Sequence, residues 1–209
     1  LLAGNVLVDM HGGAKELRGL DKGTGELLWR APTASRHLKK TKGGYYVGSH
    51  HAMRLEGPDG PMDVIVTTLC NIIRASDGKV VGHLPWEWDY GPGGGPSVFS
   101  SGDIVYRAAN GDGGSAPFTA YRLTVQNADS VKAEQLFHLK SSPGYHGQVA
   151  TPEHVIMTHR EANVIDAETG EILVRGSRRS GVGDLSNILA GDLFLWADKG
   201  HRNRLMSRW

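Results

Sequence analysis

One cysteine, Cys70, is all the chain has, so there is no disulfide framework and no dithiol pair for redox work. No stretch approaches the roughly 20 apolar residues of a membrane-spanning helix, and no signal-peptide pattern occurs in the 209 residues. Charge of one sign is missing too: 23 Lys and Arg against 22 Asp and Glu leave a net charge of +1. The basic clusters Lys39-Lys40-Thr41-Lys42 and Arg178-Arg179 have no interleaved aromatics, which marks them as solvated loops rather than a nucleic-acid groove. Aromatic residues make up only 7%, so a core must come from Val, Ile and Leu. Gly-x-Ser-x-Gly, His-Glu-x-x-His and Gly-Lys-Ser/Thr patterns are absent, which removes the commonest hydrolase, zinc-protease and phosphate-loop signatures.

Glycine is abundant instead, 29 residues with 9 prolines, and it falls in a repeated phrase. Asp21-Lys22-Gly23-Thr24-Gly25-Glu26-Leu27-Leu28-Trp29 returns as Asp166-Ala167-Glu168-Thr169-Gly170-Glu171-Ile172-Leu173-Val174, with a degraded copy at Arg74 to Gly82. Gly25, Gly78 and Gly170 lie 53 and 92 residues apart; the second interval is two steps of 46, so a further unit must lie inside it. Asp accepts hydrogen bonds from amides two residues on and Gly supplies positive φ, so each phrase predicts a tight reversal between antiparallel strands. Strand starts recur upstream at Ala3-Gly4-Asn5-Val6, Ser101-Gly102-Asp103-Ile104, Pro152-Glu153-His154-Val155 and Ala190-Gly191-Asp192-Leu193, with a looser copy at Gly60 to Val66. The hidden unit opens at Ser101 and has lost its Thr-Gly, with Phe137 standing where Trp29 stands in the first.

Each unit therefore reads as four antiparallel strands, and repeated four-stranded sheets of this length pack radially as the blades of a β-propeller. The expectation is an all-β chain, 1–209, forming one domain of about four and a half blades. Trp29, Phe137 and Val174 should be buried at equivalent places between blades. The chain opens at Leu1 in a unit whose first strand is missing and stops within a fifth unit, as expected of a fragment of a larger propeller; closure of the two partial units into a five-bladed ring is the alternative.

The phrase Leu-Asp-x-x-Thr-Gly-Glu-Leu-Leu-Trp resembles the repeat of the pyrroloquinoline-quinone-like (PQQ-like) β-propellers, a family that includes quinoprotein dehydrogenases and the propeller lipoprotein of the bacterial outer-membrane assembly machine. The resemblance runs from Ala3 to about Phe194 and implies an exported protein, periplasmic or extracellular. For the dehydrogenases it implies a vicinal cysteine pair against the quinone and a calcium-ligand set. Cys70 is single and followed by Asn71, so no cofactor is expected here.

Candidate binding residues come from two stretches. His50 and His51, with His146, fall at the starts of innermost strands, where Ser97, Gly147, Ser186 and Asn187 would join them around the channel. Adjacent strand residues point to opposite faces, so His50 and His51 are not expected to share a metal ion, and the same parity separates His154 from His159. Trp86, Trp88 and Tyr90 lie on a Gly-rich stretch with Glu87 and Asp89, and form either a stacking platform for a sugar or planar ligand or a wedge between blades. Asn110 to Gly114 reads as a wide turn rather than a calcium loop, because the later Glu is missing. The expected function is a non-catalytic scaffold presenting loops and channel mouth to a protein or glycan partner; the alternatives are a piece of a quinone- or sugar-dependent oxidoreductase, or a lyase or hydrolase with its site at Trp86–Tyr90.

Overall fold

A computed structural model describes residues 1–11, 16–33, 50–86, 97–108, 117–140, 146–158, 162–175, 187–190, 193–196 and 204–206. All regular structure among them is strand, in five antiparallel sheets. The first sheet orders β1 (Leu2–Ala3), β2 (Val6–His11), β3 (Glu16–Asp21) and β4 (Leu27–Pro32). The second has β5 (His51–Leu55), β6 (Met62–Val66), β7 (Asn71–Arg74) and β8 (Val80–His83). The third has β9 (Ser97–Ser101), β10 (Ile104–Ala108), β11 (Phe118–Asn127) and β12 (Ser130–Leu139). The fourth has β13 (His146–Ala150), β14 (His154–Thr158), β15 (Ala162–Asp166) and β16 (Ile172–Arg175), and the last has β17 (Asn187–Ala190), β18 (Leu193–Trp196) and β19 (Arg204–Met206). Every sheet is a simple meander, as expected. The first strand expected to be missing from the first unit is present, shortened to Leu2–Ala3 and paired with Val6 and Leu7.

The repeated turn is the same object three times. The amide of Asp21 donates to Glu26 O and that of Gly25 to Asp21 O; Arg74 with Lys79 and Gly78, and Asp166 with Glu171 and Gly170, repeat both bonds. Gly25, Gly78 and Gly170 take φ of +75°, +73° and +75°, a region that costs a Cβ-bearing residue dearly. Asp21 Oδ1 accepts from the amides of Gly23 and Thr24, and those bonds hold its carboxyl below the usual range, the Thr24 amide most of all. Arg74 occupies the Asp position in the second blade and keeps the backbone turn, its guanidinium pairing with Asp77 and Asp129 instead.

A bulge between third and fourth strands recurs in all four complete blades and fixes the register. It aligns Trp29, Gly82, Phe137 and Val174, opposite Gly19, Ile72, Ala120 and Val164. Trp29 is buried, lying over Gly19 of its own sheet and against Gly78 of the next blade's turn, and its Nε1 donates to Ala75 O at 2.8 Å. Phe137 repeats this, a Cβ on Gly170 of the following blade standing 2.6 Å from its ring. Between the second and third blades the roles invert. Gly82 admits the backbone of Val131 from the long β11–β12 hairpin, which replaces the lost Thr-Gly turn. Val174 departs from the expectation: it is 49% exposed.

Three apolar clusters fill the spaces between consecutive blades, and the first strands β1, β5, β9, β13 and β17 lie side by side in that order around a common axis.

Candidate functional site

The meander sorts the connections by face. First-to-second and third-to-fourth strand turns lie at one end of the blades and are two to six residues long. The strand ends joined by the second-to-third connections and by the links between blades lie at the other, and the longest gaps in sequence between consecutive strands, Pro32 to His51 and His83 to Ser97, start and finish there. Functional loops on a rigid scaffold gather where the chain has length to spare, so this second face is the candidate binding face.

Its base is a polar network across the first three blades. After β6, Thr67 Oγ1 donates to Thr33 O of the first blade at 2.7 Å and accepts from the Asn71 amide at 2.9 Å, while Asn71 Nδ2 donates to Pro32 O at 2.9 Å. The Thr67–Asn71 reversal closes through Cys70 at φ +73°, a left-handed conformation for a residue with a Cβ. The Thr68 carbonyl accepts both Nε and Nη2 of Arg107 at 3.2 and 3.1 Å. Arg107, at the end of β10, is fully buried with its Cζ 3.8 Å over the Trp86 ring, so stacking and the carbonyl together hold a desolvated cation. Burial pushes the Arg107 pKa down and the Cys70 thiol beside it up. Tyr121 shares the cluster, its hydroxyl donating to Pro85 O at 3.4 Å.

Of the three predicted histidines, His50 and His51 flank this network and diverge, His50 just ahead of β5 and His51 at its start. The Thr68 amide can only donate, so His50 Nδ1, 3.2 Å away, is the acceptor and the ring proton sits on Nε2. Burial lowers the His50 pKa to about 4, which keeps it neutral at physiological pH. His51, on β5, places Nε2 2.8 Å from Ser100 Oγ of the third blade, and burial lowers its pKa as well. His146 opens β13, the innermost strand of the fourth blade, at the same end. Trp86 is buried at 5% exposure, its indole under Arg107 and edge-on to His138 with centroids 6.3 Å apart. That is the wedge geometry and not an open stacking surface. Trp88, Tyr90, Glu87, Asp89, Asn110 to Gly114, Ser186 and His159 lie outside the described residues.

Chemically these contacts tie the first three blades together. A fully buried thiol with a raised pKa is no thiolate nucleophile. Among the described residues no three His, Cys, Asp or Glu side chains gather to hold a metal ion. Sequence reasoning missed Arg107, Thr67, Thr68 and Asn71. The legible signal was one charge in an otherwise apolar second strand, Ile104-Val105-Tyr106-Arg107-Ala108.

No family profile and no curated protein matches the sequence. Among solved structures, BamB from Moraxella catarrhalis superposes with a TM-score of 0.59 at 15% identity, covering 100% of this chain and 62% of that one. The computationally designed Ika8 protein gives 0.48 at 12% identity, covering 98% and 69%, and the dihydro-heme d1 dehydrogenase NirN in complex with DHE gives 0.36 at 14%, covering 93% and 49%. The chain therefore spans less than two thirds of BamB's length. At such identity the BamB likeness is one of fold, and with the meandering blades and the neighbouring row of first strands it establishes that this chain is built as a β-propeller.

Proposed function

We propose that the chain is a non-catalytic propeller scaffold that presents the long-connection face to a protein partner in an exported compartment, periplasmic or extracellular. The observation that carries this reading is that the strand ends joined by the longest connections all lie at one end, over a base in which His51 meets Ser100 and Arg107 meets the Thr68 carbonyl across blades. The likeness of the turn phrase to propellers that include an outer-membrane assembly lipoprotein supports the export and the protein partner. His50, His51, His146 and the Trp86–Tyr90 stretch belong to the presenting face.

Titrating the chain with pyrroloquinoline quinone and calcium while following tryptophan fluorescence tests the absence of catalysis. No saturable quenching is expected. Quenching at micromolar quinone, strengthened by calcium, would overturn the scaffold reading in favour of an oxidoreductase. Photo-crosslinking groups placed at His51 and Trp88 should capture one protein in the envelope of a bacterial host while groups at Thr24 and Glu168, on the short-turn face, capture none. Capture from the short-turn face alone would refute the assignment of the face.

A further inference from the structure

Among the described residues the short-turn face departs from the repeat chiefly at the second blade. First-to-second strand connections span two residues in the first and third blades and three in the fourth, but six in the second, Glu56 to Pro61. The third-to-fourth turn of that blade carries Arg74 where its counterparts carry Asp21 and Asp166, and the β11–β12 hairpin beside it has ten-residue strands against two to six elsewhere. These three departures meet in space. They enclose a cavity of about 280 Å³ at the end of the second blade, with Ala3 of the first blade on one side and Val125 and Ala128 of the hairpin on the other. Both neighbouring blades contribute to its wall, so it is not an unfilled seam.

The wall is rigid. Pro58 and Pro61 fix φ on either side of Asp59, Gly60 turns at φ +106° with its amide donating to Gly57 O at 3.1 Å, and a Cβ on Gly57 would stand 2.7 Å from the Val125 side chain. Opposite, Arg74 is held by Asp77, Asp129 and the Ala128 carbonyl, and Lys79 by Asp129 at 2.8 Å. Arg54 pairs with Asp63 at 3.0 Å. The cations around the cavity are thus committed to carboxylates, whereas the exposed Asp59 on its rim makes no ion pair among the described residues. Met62, Ala75 and Val125, all buried, give it an apolar floor.

We propose that this cavity binds a small organic amine, its hydrocarbon part on Met62, Ala75 and Val125 and its ammonium at the Asp59 carboxylate. The volume holds about ten non-hydrogen atoms at ~30 Å³ for each water-sized group. A preorganised pocket with an apolar floor and one placed charge is the common form of a small-ligand site. It lies at the end of the blades opposite the presenting face and is independent of the scaffold function.

Isothermal titration of the 209-residue chain with phenethylamine, 2-phenylethanol and 3-phenylpropanoate tests the proposal, since the three share a phenylethyl group and differ in charge. One-site binding of the amine is expected, about fivefold tighter than the alcohol, as one partly exposed ion pair allows, and tighter still than the carboxylate. Asp59→Asn should bring the amine down to the alcohol and leave the alcohol unchanged. Ala128→Trp should exclude all three, and Glu26→Gln, on the same face but outside the cavity, should change nothing. All three substituted side chains are exposed, so each variant should keep the parent's urea midpoint. No saturable binding of the amine, equal affinity for amine and carboxylate, a preference that Asp59→Asn keeps, or amine binding that survives Ala128→Trp would overturn the proposal.

Discussion

Replacing Trp29 by alanine tests the blade-to-blade argument at its tightest point. The indole is 7% exposed and fills the space between Gly19 in its own sheet and the Ala75–Gly78 turn of the next blade. Losing a buried Trp costs about 3–5 kcal/mol in transfer and cavity terms, and the stranded Ala75 carbonyl, which accepts from Nε1 at 2.8 Å, adds about 1 kcal/mol. The seam between the first two blades should therefore lose about 4–6 kcal/mol, read as a fall in the urea midpoint with the m-value kept. Gly78→Ala attacks the same contact from the other side: its φ is +73° and a Cβ would stand 2.6 Å from the indole. The two changes should not add. With the ring gone the new methyl has room, and the double variant should come out about 1 kcal/mol or more milder than the sum. Strict additivity, or a Trp29→Ala cost below about 1 kcal/mol, which is less than an ordinary buried side chain is worth, would refute the packing assigned to this seam.

Two further outcomes follow from the network on the long-connection face. His50 has its folded pKa lowered from 6.5 to about 4 by burial, so the unfolded chain binds the proton first; this contribution is fully present above pH 6.5 and is lost as pH falls toward 4, by up to about 3 kcal/mol. His50→Gln should flatten that limb of the stability profile in urea titrations at stepped pH, and an unchanged limb would contradict the buried neutral ring. Cys70, fully buried with a raised pKa, should react with an aromatic disulfide reagent only on unfolding, and stoichiometric labelling of the native protein would contradict its place beneath Arg107.

The sequence placed side chains on the fold where position along a strand decided the answer. His51 and His146 stand in innermost strands because the strand starts repeat, and the neighbours His50 and His51 reach different partners, the Thr68 amide and Ser100 Oγ. It failed for Arg107, which meets Thr68 across 39 residues and Trp86 across a blade boundary; no local pattern encodes a contact between residues brought together by radial packing. Val174 failed for a related reason. The period assigns it the place of Trp29, but burial depends on what the neighbouring blade supplies.

The sequence by itself determined the antiparallel strands, the four-strand unit and the turn that closes it, because φ preference, side-chain capping and the two-residue period act within a few residues. Even where Arg74 replaces the aspartate the turn survives, held by Gly78 and its backbone bonds. Only the tertiary structure decided how each seam is filled, by Trp29 against Gly78, by Gly82 under the Val131 backbone or by Phe137 against Gly170. Those outcomes turn on the volume shared between two blades, a quantity that belongs to neither blade's sequence alone.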